Sequence, residues 1–281
     1  MLIRFWGTRG SIPAPGPDTI RYGGNTTCIE VITDAGHRII VDAGTGIRRL
    51  GSRIVADERE GSMHLFLTHC HWDHVQGLPF FEVLRTAGME LAMHVPSHLM
   101  EHADRILQTQ LDPLFFPVSR ADLQGRISIV AAAEPEQVHD ASVSAAAVDH
   151  PGGALAYRIV PNNEAARSVI LAPDSELTGD AGSGVSARLE KLMTGAKVLV
   201  HDAMYTEREY TERRGWGHSS HRAALELALR SEVQLLVLFH HHPDRTDAQV
   251  DEMLEECRAE AKSRSRDLLV LAAYEGLELE V

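Results

Sequence analysis

Hydrophobic positions along the chain follow two periods. Short runs rich in Val, Ile and Leu predict strands over residues 27–33, 38–42, 63–68, 90–95, 142–148, 155–160, 168–172, 197–201, 234–239 and 268–273. The opening Met1-Leu-Ile-Arg-Phe-Trp6 reads as another strand. Several runs are apolar throughout, such as Leu235-Leu-Val-Leu-Phe239, the pattern expected where both faces of a sheet are covered. Helical spacing predicts helices over 97–110, 185–193, 220–229 and 247–264. In the last of these Val250, Met253, Leu254, Cys257 and Ala261 form one apolar stripe, and Thr246 with Gln249 has capping-box spacing. Strand runs come first as hairpins and later alternate with helices, so a layered α/β fold with mixed sheets follows. No linker, repeat or low-complexity tract divides the chain, and one domain spanning 1–281 is expected.

Charge and composition narrow the functional classes. With 27 Lys+Arg against 40 Asp+Glu the net charge is −13, which disfavours a chain that wraps nucleic acid by neutralising many phosphates. No apolar stretch approaches the roughly 20 residues of a membrane span, and the opening has neither the charged leader nor the apolar run of a signal peptide. Cys28, Cys70 and Cys257 are too few and too scattered for a disulfide framework. A cytoplasmic protein with no membrane partner is expected. The unusual feature is 16 histidines in 281 residues.

The densest group of them is Thr68-His69-Cys70-His71-Trp72-Asp73-His74, directly after the apolar run Leu65-Phe66-Leu67. At a strand's end His69 and His71 project to one side, and a turn brings Asp73 and His74 round to the same pocket. Imidazole and carboxylate donors together suit zinc and comparable divalent ions. His150, Asp174 and His240 each follow a predicted strand as well, and polar groups at strand ends point into one cleft. Asp42, also at a strand's end, is placed to accept a hydrogen bond from a ligand histidine and fix its tautomer. Cys70, between two ligands, is expected to face the opposite way as a small core residue.

Carrying these residues, the sequence resembles the metallo-β-lactamase superfamily, and within it the branch of the tRNA 3′-processing endonuclease RNase Z and related small-molecule phosphodiesterases. Gly7-Thr8-Arg9-Gly10-Ser11-Ile12-Pro13 and Tyr22-Gly23-Gly24-Asn25-Thr26-Thr27 are similar to that branch's glycine-rich opening, and Ile40-Val41-Asp42-Ala43-Gly44 to its first aspartate motif. Lys197-Val-Leu-Val-His201-Asp202-Ala203-Met204 resembles its His-Glu-Ala-Thr motif with Asp for Glu and Met for Thr, and Gly217-His218-Ser219-Ser220 resembles its His-Ser-Thr motif. The resemblance implies a four-layer αββα sandwich of two mixed sheets flanked by helices. It also implies two divalent metal ions, Zn2+ first with Mn2+ or Fe2+ as alternatives. His69, His71 and His150 would hold one, Asp73, His74 and His240 the other, and Asp174 would bridge them. Asp202 and His218 would pair to protonate the leaving oxygen, with Asp73 counted beside them as catalytic. Relatives in the branch are often dimers, so a homodimer is among the expectations.

Two divalent ions that share a solvent molecule lower its pKa enough to supply hydroxide at neutral pH. An alkoxide leaving group then needs a proton, which His218 beside a carboxylate can donate. The expected function is therefore a dinuclear hydrolase in which metal-bound hydroxide attacks a small or cyclic phosphodiester, such as a cyclic nucleotide. An acyl hydrolase acting on a lactone, thioester or β-lactam would use the same ligands and is the alternative. A tRNA partner is disfavoured by net charge and by the lack of a long basic insertion, the loop 180–184 being too short for one. Trp216 is a candidate for stacking on a base or sugar. His201, His241 and His242 are candidate cleft neighbours. His37, His64, His94, His98, His102, His139 and His221 are assigned to surface or packing, and the apolar segment 111–117 to core burial.

Overall fold

Period-two alternation settles which face of each strand is covered, and the covered faces assemble into two sheets. The computed structural model describes all residues except 59, 133–134, 163, 179–186 and 265–266. The first part of the chain supplies β1 (Leu2–Gly7), β2 (Cys28–Ile32), β3 (Arg38–Val41), α1 (Ile47–Asp57), β4 (Gly61–Phe66), α2 (Trp72–Val75), β5 (Met89–Val95), α3 (Ala103–Gln110) and β6 (Arg126–Ala131). The second supplies β7 (Glu136–Val138), β8 (Ala141–Val148), β9 (Ala154–Pro161), β10 (Val169–Ala172), α4 (Ala187–Met193), β11 (Val198–Asp202), α5 (Glu207–Glu212), α6 (His221–Arg230), β12 (Leu235–Phe239), α7 (Asp247–Arg264), β13 (Leu269–Ala272) and β14 (Glu278–Glu280).

Strand order is β14-β1-β2-β3-β4-β5-β6 in one sheet and β13-β12-β11-β10-β9-β8-β7 in the other. Each is antiparallel at one side and parallel at the other: β3 to β6 run parallel in the first, β10 to β13 in the second. Three apolar layers hold the stack. Phe5, Phe66, Tyr157, Val198, Val200 and Phe239 fill the space between the sheets. Ile47, Leu50 and Ile54 of α1 cover Met63, Leu65, Leu91 and Met93 on the outside of the first sheet. Leu225 of α6 and Val250, Leu254 and Cys257 of α7 cover Leu199, Leu236 and Leu238 outside the second. Adjacent residues of β4 and β11 thus serve opposite layers, which is why the stretches Leu65-Phe66 and Val198-Leu-Val200 are apolar without alternation. The architecture is the expected αββα sandwich.

Some elements depart from the expectations. The 97–110 segment is a 3-10 stretch, Ser97–His102, followed by α3. Strands β6, β7 and β14 and helices α1, α2 and α5 are additional. Residues 180–184 and the start of the expected helix at 185 lie outside the described residues. The segment 111–117 is not core as a whole: Leu114 is 80% and Phe115 71% exposed, and beyond the end of α3 at Gln110 only Leu111, buried, and Phe116, partly buried, face the apolar layer. Among the described residues no helix is long and apolar enough to cross a membrane.

The two sheets are also tied by polar contacts at the end of β4. The Tyr157 hydroxyl of β9 donates to the Leu67 carbonyl at 2.7 Å, and the Leu155 amide to the Thr68 carbonyl at 3.0 Å. Both bonds are made just before His69. Replacing Tyr157 by Phe removes one buried bond and leaves a carbonyl without that donor, so unfolding free energy in urea should fall by about 1–2 kcal/mol. An unchanged urea midpoint would show that this bond does not hold the sheets together.

Candidate metal centre

Beyond β4 the chain stays extended for a few residues and then makes one turn of helix. His71 is the N-cap of α2, its ψ of 153° still extended, and the single turn Trp72–Val75 swings Asp73 and His74 inward. The His74 carbonyl accepts from the Ala43 amide at 2.7 Å, docking the turn on the loop after β3. That approach needs Gly44, where an added Cβ would lie 2.3 Å from the Asp73 carbonyl oxygen. The remaining residues arrive from the second sheet: His150 just beyond β8, Asp174 just beyond β10 and His240 directly after β12. Asp42 and His240 follow the last residues of β3 and β12, and both have positive φ, 64° and 58°. Such strained single residues persist where surrounding contacts over-determine them.

The seven expected ligands converge, and they do so in two groups. Donor atoms of His69, His71 and His150 lie within 4.8 Å of one another, as do those of Asp73, His74, Asp174 and His240. Asp174 faces both. Its Oδ1 is 3.1 Å from Nε2 of His74 and 3.1 Å from Nε2 of His240, while Oδ2 is 3.6 Å from Nε2 of His69 and 3.7 Å from Nε2 of His150. Asp73 Oδ2 lies 3.2 Å from His74 Nε2 and 3.1 Å from His240 Nε2.

The chemistry of this set fits cations. His69 Nε2, His74 Nε2 and Asp174 Oδ1 are buried and make no hydrogen bond, although each has a partner of opposite character nearby. These atoms converge on one small volume, as ligands of a shared cation would. Burial holds His69, His71 and His150 below the ordinary histidine range, in the neutral form that metals take. Burial also works against charge at Asp73 and Asp174, yet His74 and His240 hold both carboxyls below the usual range. At His74 burial is outweighed by Asp174, Asp73 and Asp42, which raise it well above the histidine range. The negative potential that would keep a proton on His74 is the potential that would hold a divalent ion.

Asp42 stands where it was expected. It is fully buried, and its Oδ2 is 2.8 Å from His74 Nδ1, which fixes the tautomer that leaves Nε2 for a metal. The Thr68 amide and hydroxyl add bonds of 2.8 Å each. Cys70 packs partly against the outer layer of the first sheet, as expected.

Beside this cluster His218 Nδ1 lies 2.8 Å from Asp202 Oδ2, the pair that the resemblance implies. Burial opposes charge on His218, but Asp202 prevails and its pKa is pushed up to about 9. Its ring stacks 5.0 Å from that of His240 and meets His150 edge-on at 5.4 Å. Two supports were not legible in the sequence. Buried Glu176 accepts the amides of Gly215 and Gly217 at 2.8 Å each and so fixes the loop that carries His218. The Ser11 amide donates to Asp73 Oδ2 at 2.7 Å, giving the glycine-rich opening a direct part in the site. Gly217, at φ 87°, also passes its carbonyl to His150 Nδ1 at 2.9 Å, where a Cβ would stand 2.3 Å from that ring.

The remaining candidates separate. His241 is buried with Nε2 on the Ala273 carbonyl at 2.8 Å, and burial holds it down to about 3, so it packs the site's floor. His201 is buried with Nδ1 on the Asp202 carbonyl at 2.8 Å. His242 is half-buried with its ring 6.2 Å from that of Tyr205, and Trp216 is 62% exposed.

A family model described as Beta-lactamase superfamily domain matches residues 37–241. The chain belongs to that superfamily. A Ribonuclease Z of Gemmatimonas aurantiaca is 24% identical over 327 aligned positions, covering 100% of this chain and 96% of that protein. The metallo-beta-lactamase fold protein YhfI from Bacillus subtilis superposes with a TM-score of 0.70 at 16% identity, covering 100% of this chain and 99% of that one. Human tRNase Z, short form, does so at 0.65 and 20% identity, over 100% and 99%. The chain is thus a hydrolase of the metallo-β-lactamase superfamily whose His and Asp cluster is of a kind that suits divalent metal ions.

One expectation is overturned. Relatives named Ribonuclease Z run the length of this chain, and in the branch compared above RNase Z is the tRNA 3′-processing endonuclease, so the exclusion of a tRNA partner does not stand. The physical reason is that −13 is summed over the whole surface, whereas a phosphate meets the local potential of a cleft, where bound cations dominate.

Removing Asp42 tests the support of this centre. Asp42→Ala leaves His74 free to choose its tautomer, so metal affinity should drop about 10- to 100-fold, read by competition with a chromophoric chelator. Unchanged affinity would reduce Asp42 to a packing role.

Proposed function

We propose that the chain is a phosphodiesterase using two divalent ions, zinc before manganese or iron. His69, His71 and His150 would hold one and Asp73, His74 and His240 the other, with Asp174 between them. The observation that carries the reading is the Asp202–His218 pair, a buried, charge-stabilised proton donor beside the ligand cluster. A ring nitrogen of His218 lies within 4.8 Å of donor atoms of His150 and Asp174.

When bound, the ions supply Lewis acidity to the attacking water and to the phosphoryl oxygens. Everything else falls to the chain. Asp42 orients His74, Gly217 orients His150, and the Ser11 amide orients Asp73. Asp202 keeps the proton of His218 on the ring, and His218 passes it to the oxygen that leaves as the ester breaks. An alkoxide needs that donation, and the resemblance of the Asp202 and His218 motifs to the phosphodiesterase branch is what favours a phosphodiester over an acyl substrate.

Relatives named Ribonuclease Z support an RNA ester as the first class to examine. Trp72, 61% exposed between His71 and Asp73, and Trp216, two residues before His218, offer faces on which bases stack, an interaction indifferent to sequence. A small or cyclic phosphodiester presents the same bond and is the second class.

Turnover is to be measured with a precursor tRNA, a short oligoribonucleotide, a cyclic nucleotide, a bis-aryl phosphodiester, a lactone and a β-lactam. Hydrolysis of phosphodiesters with the acyl compounds left intact supports the reading, and acyl turnover alone overturns it. Within it, His218→Ala should lower kcat on an RNA or alkyl ester about 10²- to 10⁴-fold at unchanged metal content, with a smaller loss on a nitrophenyl ester that leaves without a proton. Equal loss on both esters would remove the general acid.

A further inference from the structure

Of the histidines outside every motif, four gather at one place far from the site just described. His64 on β4 and His94 on β5 turn into the space between the sheets, where the His94 ring lies flat on Phe66 at 4.0 Å and 6°. His64 Nδ1 is 2.8 Å from His94 Nε2, and Glu136 Oε2 of β7 is 2.9 Å from His94 Nδ1. His139, in the turn after β7, meets His64 edge-on at 5.6 Å and stacks on His37 at 3.7 Å. β6 and β7 are the outermost strands of their sheets, so the group lies at the lateral edge where the chain crosses from one sheet to the other. His64 precedes His69 by five positions of nearly extended chain, a separation of roughly 16 Å at about 3.3 Å per residue.

We propose that His64, His94 and Glu136 form a separate metal site that takes one zinc-like divalent ion. Two imidazoles and one carboxylate are the donor set of open zinc sites, with a further position left to solvent. One donor atom from each lies within 4.8 Å of the others, and tetrahedral bonds of about 2.0–2.1 Å place ligands roughly 3.4 Å apart, so one of the two side chains flanking His94 would turn toward the nitrogen that the other faces. His94 is 1% exposed, and its two ring nitrogens face His64 at 2.8 Å and Glu136 at 2.9 Å, so a buried imidazole sits between two further donors of metal-ligating type. His64 and Glu136 are partly exposed, which gives an ion a route from solvent. His139 and His37 line that route with further imidazole. Under this proposal His64 and His94, two of the histidines assigned to surface or packing, become ligands.

The test counts metal in the folded protein. Wild-type protein dialysed against Zn2+ should bind about one equivalent more per chain than His64→Ala or Glu136→Gln, both at partly exposed positions, with phosphodiester turnover the same in all three. Co2+ in place of Zn2+ should show visible absorption that the two variants lack in part. A second variant, Asp174→Ala with His69→Ala, removes ligands from the other cluster and should still bind about one Zn2+ that His64→Ala in the same background abolishes. Equal zinc content in wild type, His64→Ala and Glu136→Gln would overturn the proposal, as would zinc binding in the Asp174→Ala, His69→Ala background that ignores the further loss of His64.

Discussion

The organisation of this protein turns on one carboxylate that cannot stay where it is without positive charge around it. Asp174 is 2% exposed, one of its oxygens has no hydrogen bond, and its two oxygens face two separate sets of imidazoles. Three of those rings, His69, His71 and His74, leave the first sheet after β4. His150 and His240 leave the second after β8 and β12. A buried anion unbalanced by a cation costs far more than a hydrogen bond returns, so the ends of both sheets must bring charge to the same point. Divalent ions would do this with ligands that stay neutral, and their binding energy would add to the stability of the fold that presents the ligands.

From that constraint much of the rest follows. The apolar layer between the sheets, with Phe5, Phe66, Tyr157 and Phe239, brings the two sets of strand ends to one level. Tyr157 and Leu155 clamp the exit of β4, and the Arg9 guanidinium, fully buried, bonds the carbonyls of Gly23, His242 and Arg245. Through Arg9 the glycine-rich opening is anchored to the turn after His240, and through the Ser11 amide to Asp73. The N-terminal loop therefore joins halves of the site that are far apart in the chain.

These dependencies explain what was readable beforehand. His69, His71, Asp73 and His74 stand in one short motif, and His150, Asp174 and His240 each follow an apolar run, so local pattern was enough to find them. β6 was missed because its alternation is short, with only Ile127 and Ile129 partly buried and the rest exposed, and β7 because three residues are too few. α1 was missed although Ile47, Leu50 and Ile54 have helical spacing with Arg48, Arg49 and Arg53 opposite them, because it has no side-chain cap at its start and carries Gly51 at its centre. Glu176 and the Ser11 amide act through contacts that exist only after folding. The edge cluster is the same case: His64, His94 and His139 share no motif, and only the pairing of β4 with β5 and the crossing to β7 bring them within reach of Glu136.

Position 202 carries Asp where the resembled motif has Glu. A shorter side chain reaches less far by about one methylene, and in this structure Asp202 nevertheless meets His218 at 2.8 Å. Asp202 is the last residue of β11 and its Oδ1 takes the Met204 amide at 3.0 Å, while the other oxygen faces His218. The loop bearing His218 is pulled in by Glu176 through two glycine amides and by Ser219, whose hydroxyl bonds the Ser175 carbonyl at 2.5 Å. Both anchors, Ser175 and Glu176, directly follow Asp174. The segment that places the central carboxylate thus also sets the distance between the proton donor and its partner, which ties the spacing of the two to a single stretch of chain.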